Sequence, residues 1–145
     1  MQKNLCLLLF LFSFSCTDSK IKTRNPNAER EIRTVLDKQV IAWNEGNIDA
    51  FMQSYWQSDS LQFIGSDITK GWNSTLEGYK RRYPTAEALG SLRFEILEVV
   101  YISPDAYLVT GKYFLTRTIG DLNGIFTLLF RNKEGKWVIV HDHTS

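Results

Sequence analysis

Hydrophobic positions recur along this chain with two different periods, and the change of period divides it into a helical half and a strand half. Ile32, Val35, Leu36, Gln39, Val40 and Trp43 return at helical spacing, while Glu29, Arg30, Arg33, Asp37 and Lys38 fall on the opposite side. Asn25-Pro26 supplies an opening for this first helix, because Asn caps and Pro is tolerated where no N–H is needed; Gly46 closes it. Asn47 or Asp49 caps a short second helix with Ile48, Phe51, Met52 and Tyr55 on its apolar face, so the two helices form a tight pair. Leu61 to Ile64 reads as a short strand followed by the turn Gly65-Ser66-Asp67. Ser74-Thr75-Leu76-Glu77 fits a capping box that opens a third helix, which Pro84 closes. Tyr79 and Tyr83 lie one turn apart on that helix, and Thr85 to Gly90 reads as a loop.

From Leu92 onward the period becomes two. Leu92, Phe94 and Ile96 alternate with polar residues, then Leu97, Val99 and Tyr101 continue on the other parity, which predicts a bulge or sharp bend in a long strand. Strands over Ala106 to Thr118, Ile125 to Arg131 and Lys136 to Thr144 follow, separated by short turns rich in Gly, Asn and Asp. Short turns join antiparallel neighbours. The expected fold is α+β: a curved antiparallel sheet wrapped around three N-terminal helices, a cone-shaped α+β barrel. A cone that side chains do not fill completely is a pocket.

Composition changes this picture at the N-terminus. Lys3 precedes an apolar run from Leu5 to Phe14, and the small residues Ser13 and Ser15 lead to Cys16, the anatomy of an export signal too short to span a bilayer. With a cysteine at that place the segment resembles a bacterial lipoprotein signal, which implies cleavage before Cys16 and lipidation of Cys16. The expected organisation is a signal over 1–15, a lipidated polar tether over 16–25 and one domain over 26–145. The implied location is the cell envelope, lipid-anchored and facing periplasm or cell surface. Cys6 leaves with the signal, so no disulfide is available and burial alone must hold the domain together. With 17 basic and 16 acidic residues interleaved, the chain has no basic excess to attract nucleic acid. Lys80-Arg81-Arg82 is a solvated helix end, helped by the helix dipole.

The last stretch, Trp137 to Ser145, carries the densest chemistry, including both histidines of the chain. At a strict period of two, Trp137, Ile139, His141 and His143 share one face, and Val138, Val140, Asp142 and Thr144 share the other. His141 and His143 are spaced to hold zinc from one face, but spacing places no third ligand near them; Asp59, Glu77 and Glu95 are the acids that would have to approach. No serine sits in a nucleophile elbow of the Gly-x-Ser-x-Gly kind.

The order of elements joins particular residues: Trp43-Asn44-Glu45-Gly46-Asn47, Gly71-Trp72, Tyr79 with Tyr83-Pro84, Ala106-Tyr107-Leu108-Val109-Thr110-Gly111, and Gly135-Lys136-Trp137 leading into His141-Asp142-His143-Thr144-Ser145. Together they resemble the SnoaL-like branch of the nuclear transport factor 2-like superfamily, which includes the association domain of calcium/calmodulin-dependent protein kinase. The resemblance runs from about Ala28 to the end and implies the cone fold, but no single activity, because the superfamily includes isomerases, dehydratases, cyclases and non-catalytic modules.

The resemblance also implies a pocket lined by strand positions of one parity. The association domain's pocket arginines fall on Leu128 and Thr144, which speaks against a strongly anion-binding pocket. The same parity turns Val138, Val140 and Asp142 inward, with Val109, Gly111, Tyr113 and Leu115 on a neighbouring strand. Expected ligand contacts are Trp43, Tyr55, Trp72, Val109, Tyr113, Leu128, Val140 and Thr144. Asp142 is the candidate acid/base, as in ketosteroid isomerases, with Tyr79 and Tyr83 as candidate hydrogen-bond donors. The competing role for Asp142 is a buried structural acceptor bonded to Trp43 or Tyr79. Asp59 is a weaker candidate base, better read as a cap or turn residue. His141 and His143 then belong to the convex face, where the superfamily often forms dimers.

The first functional expectation is an exported lipoprotein, anchored through Cys16 and homodimeric, whose pocket takes a small, largely apolar ligand without catalysis or a cofactor. The second is an isomerase, dehydratase or cyclase using Asp142. The third is a homo-oligomerisation module.

Overall fold

The computed structural model describes residues 25–145; the expected signal, Cys16 and nearly all of the tether lie outside them. Among the described residues no helix is long and apolar enough to cross a membrane. The first helix, α1 (Ala28–Asn44), buries Ile32, Leu36, Gln39 and Trp43 along one stripe, as the apolar spacing predicts. It opens two residues later than expected: Asn27 occupies the cap, and Asn25 Oδ1 accepts from the Asn27 N–H. Asn47 caps α2 (Ile48–Met52) by accepting the Ala50 N–H at 2.9 Å.

Two short strands, β1 (Gln62–Ile64) and β2 (Ile68–Lys70), form a hairpin, the second of them without an apolar run to announce it. The third helix, α3 (Trp72–Arg82), starts two residues before the capping box, and Ser74 caps nothing. Tertiary anchors set its start instead. Trp72 Nε1 donates to the Met52 carbonyl at 2.9 Å, and the Trp72 N–H to the Ser58 carbonyl at 3.0 Å. The expected loop after Pro84 contains a one-turn helix, α4 (Ala86–Leu89), capped by Thr85 Oγ1.

Four long antiparallel strands complete the fold: β3 (Ser91–Ser103), β4 (Ala106–Thr116), β5 (Leu122–Lys133) and β6 (Lys136–Thr144). The sheet order is β2-β1-β6-β5-β4-β3, with β1 parallel to β6. The parity switch in β3 is a register shift between Ile96 and Glu98, which leaves Leu97 without a partner and half exposed. Opposite it stands Gly111, where a Cβ would meet Phe126 Cζ at 2.4 Å and the Glu95 carbonyl oxygen at 2.8 Å. The absent side chain lets the sheet bend and the Phe126 ring cross the strand there.

A second bulge corrects the simple reading of β6. Leu129 pairs with His141 and Phe130 with Ile139, so Val140 is the extra residue. Trp137 and Ile139 point into the core, the face changes at Val140, and Asp142 again points inward. The inward positions of β6 are therefore Trp137, Ile139, Asp142 and Thr144; Val138 and Val140 are not among them. Helices lie on the concave face, where Ile32, Leu36, Tyr107, Phe130 and Ile139 are each 2 % exposed or less. Hydrophobic burial of this kind contributes roughly 1.5–3 kcal/mol for each large aliphatic or aromatic side chain. Asn44 pins the end of α1 to the sheet by accepting the Leu92 N–H at 2.7 Å and donating to its carbonyl at 3.1 Å.

Candidate functional site

Between the helices and the concave face the core is incomplete, leaving a cavity of about 300 Å³. That is the low end of the volumes that hold small organic ligands. Its helical wall is aromatic. Trp43 meets Phe51, Tyr79 and Tyr83 edge to face with ring centroids 4.8–6.1 Å apart, and its Nε1 is held by the Leu89 carbonyl at 3.1 Å. Tyr79 and Tyr83 stack at 6.2 Å, as their one-turn spacing predicts. The sheet wall is supplied by Phe94, Tyr113, Phe126 and Leu128. Arg82 is an exposed basic residue on the lining.

Asp142 is the buried acid of this cavity, 2 % exposed, and the β6 bulge is what turns it inward. Its two oxygens are both engaged: Tyr55 donates to Oδ2 and Thr144 to Oδ1, each at 2.6 Å. Burial pushes the Asp142 carboxyl above the ordinary carboxylate range, opposed by these two hydrogen bonds and by nearby His141 and His143. Burial also raises Tyr55, whose ionisation the Asp142 charge opposes further, and Tyr79, which lies within hydrogen-bonding reach of Tyr55. Tyr83 is raised by burial as well, against the pull of Arg82. Tyr79, Tyr55, Asp142 and Thr144 thus form a run of hydroxyls around one carboxyl. Such a run can hold a proton or present a polar spot to a bound molecule.

The structure brings Trp43, Tyr55, Tyr79, Tyr83, Tyr113, Leu128, Asp142 and Thr144 to one cavity. Trp72, Val109, Val140 and Asp59 are not on its lining. Trp72 spends its indole N–H locking α3 to α2. Val109 is fully buried in the packed core. Val140 is displaced by the bulge, and Asp59 is exposed in a turn beside Gly71. The expected structural partners of Asp142 also differ, since Tyr55 takes the place of Trp43 or Tyr79. His141 is half-buried and His143 exposed, and no group of three or more His, Cys, Asp or Glu able to hold a metal forms among the described residues.

One lining residue was not singled out by its sequence setting. Gln39 lies on the apolar stripe of α1, is 1 % exposed, and its Nε2 has no hydrogen-bond partner. A polar residue at a core position of an amphipathic helix is the signal that could have marked it.

The geometry defines a cone-shaped α+β pocket domain with a buried carboxyl at its polar spot. Residues 32–145 match the SnoaL-like domain, and the chain belongs to that family. It is similar to an NTF2-like protein of unknown function from Shewanella oneidensis MR-1, with 40% identity and a TM-score of 0.79 over 81% of this chain and 98% of that one. A ketosteroid isomerase-like protein from Erwinia carotovora shares the fold at 22% identity and TM-score 0.65, over 83% of this chain and 96% of that one. So does a protein from Thiobacillus denitrificans taken to be a calcium/calmodulin-dependent protein kinase type II association domain, at 20% identity and TM-score 0.64, over 78% and 92%. Among functionally curated proteins none matches.

Proposed function

We propose that this domain holds a small, largely apolar molecule in its cone-shaped cavity, as a binding protein. The observation that carries this reading is an unfilled, aromatic-walled cavity whose buried acid already has both oxygens bonded within the protein. The expected test outcome is a bound small molecule seen by native mass spectrometry of protein purified without denaturation. Quenching of tryptophan fluorescence by the probe 2-acetylnaphthalene is also expected, with loss of both signals in Leu128→Trp, which fills the cavity from the sheet. A bare protein mass together with no probe binding would sink the reading.

A second reading, an isomerase-type enzyme, is favoured by the raised carboxyl of Asp142 beside the hydroxyls of Tyr55 and Tyr79. It requires Asp142→Asn to fold normally and to lose turnover of a cyclic carbonyl substrate. A variant with undiminished turnover removes Asp142 from the chemistry. Two further expectations accompany the binding role. The Lys3-to-Cys16 pattern supports export and a lipid anchor, and the exposed Leu97, Ile102 and Ile125 on β3 and β5 support a homodimer. Sedimentation of the soluble domain at one protomer mass across micromolar concentrations would exclude the dimer.

A further inference from the structure

We infer that the rim of this cavity is a carboxylate subsite, so that the molecule held is a small organic acid whose charged end stays at the opening while its apolar body enters. The inference rests on the binding role above and adds the chemical class of the ligand. Lys80-Arg81-Arg82 reads in sequence as a solvated helix end, but its side chains do not share one fate. Lys80 pairs with Asp49 at 3.0 Å, whereas Arg82 stands on the cavity lining, exposed, with the Tyr83 hydroxyl within hydrogen-bonding reach. Arg117, just beyond the end of β4, lies against Gly90. It is held there by Nε, which donates to the Gly120 carbonyl at 2.7 Å, and by Nη1, which donates to the Ala88 carbonyl at 3.5 Å. Its charge reaches the same Tyr83 hydroxyl, which also faces Tyr113. No ion pair among the described residues includes Arg82 or Arg117.

The two polar ends of the cavity differ in sign. Inside is Asp142, 2 % exposed, and an anion beside it would be buried without a counter-ion, which is unfavourable. At the rim stand Arg82, Tyr83 and Tyr113, the last with its ring over Gly124, where a Cβ would come 2.8 Å from Tyr113 Cε1. Acids near these residues in sequence are engaged with backbone: Asp121 accepts the Arg117 N–H at 2.8 Å, and Glu87 is bonded to its own N–H and to Thr85. A guanidinium presents a planar fork of N–H donors that matches the two oxygens of a carboxylate. Because Arg117 already gives two of its N–H groups to carbonyls, the free capacity of the rim suits one negative charge, a carboxylate and not a phosphate dianion. Trp43, Phe94, Phe126 and Leu128 then enclose the apolar body. Leu128 and Thr144 carry no charge, which leaves recognition of an anion to the rim.

The test compares 2-naphthoate with 2-acetylnaphthalene, in which a methyl of similar size replaces the charged oxygen. Both are titrated into the full domain by tryptophan quenching at neutral pH, in wild type, Arg82→Gln and Arg82→Lys. Wild type is expected to bind the acid more tightly than the ketone. The affinity ratio of acid to ketone should fall by roughly 3–10-fold in Arg82→Gln, between the worth of an exposed ion pair and that of a charged hydrogen bond, and by less in Arg82→Lys, which keeps the charge. In wild type the ratio should also fall as salt is raised from about 0.01 M to 1 M, where screening shortens from about 30 Å to 3 Å, a readout that needs no variant. A ketone bound as tightly as the acid by wild type overturns the inference while leaving the binding role intact, because both probes still enter. So does a ratio that neither Arg82→Gln nor salt alters. Failure of both probes to bind wild type overturns the binding role and this inference with it.

Discussion

Replacing Gln39 with methionine should make the ligand-free domain more stable, an unusual direction for a substitution at a position that is 1 % exposed. The two side chains have nearly the same length and volume, so packing against Leu36 and Trp43 is kept and the main change is loss of an unpartnered amide. An enclosed polar group without a partner costs about 1–3 kcal/mol, and the substitution removes that penalty. For a domain of this size each kcal/mol moves Tm by roughly 4 °C, so the expected rise is about 4–12 °C. The measurement is thermal and urea denaturation of protein stripped of small molecules by unfolding and refolding. Gln39→Leu, which also lacks the amide but differs in shape, separates the polar effect from packing. Adding 2-acetylnaphthalene at 100 times its Kd should add about 2.7 kcal/mol to wild type. Equal or lower stability of both ligand-free variants would refute the reasoning, since it would mean that the amide is satisfied in the free protein.

Three further outcomes are expected. Burial raises the Asp142 carboxyl, so the folded state keeps this proton to higher pH than the unfolded chain. Its contribution to stability is complete below the ordinary value of 3.8 and is lost as pH rises through the raised one. Asp142→Asn should therefore gain stability relative to wild type over that window and level off above it, as followed by urea midpoints; a constant difference would contradict the assigned shift. Gly111→Ala places a methyl 2.8 Å from the Glu95 carbonyl oxygen and against Phe126, and should lower stability by about 1–3 kcal/mol in thermal melts. Unaltered melting would show that the bend does not depend on this glycine. Cys16→Ser should move the exported protein from the detergent phase to the aqueous phase on phase separation, and equal partitioning of the two forms would rule out a lipid anchor there.

Much of the fold follows from local signals. The helical stripe from Ile32 to Trp43, the Asn47 cap and the parity switch at Leu97 each reflect a rule that acts over a few residues, and each appears in the structure. Where local and tertiary preferences compete, the tertiary ones win. The capping box at Ser74 has no effect because Trp72, anchored to Met52 and Ser58, extends α3 toward Gly71. The hairpin strand β2 has only three residues and gains its hydrogen bonds from β1, so its own pattern does not reveal it.

By itself the sequence determined the order of helices and strands and the aromatic helical wall, because periodicity and spacing act along the chain; the inward direction of Asp142 followed from the family resemblance and not from the strand period. Only tertiary structure decided how Asp142 comes to share a face with Ile139. A strict strand period would separate those two residues, and the bulge at Val140, visible only through pairing with Leu129 and Phe130, brings them together. Tertiary structure also decided which polar groups remain free. Tyr55 and Thr144 close on Asp142 across and along the chain, while the Gln39 side-chain nitrogen is enclosed without a partner. Hydrogen-bond satisfaction depends on what stands opposite each group after folding, and the periodicity of a sequence does not contain that information.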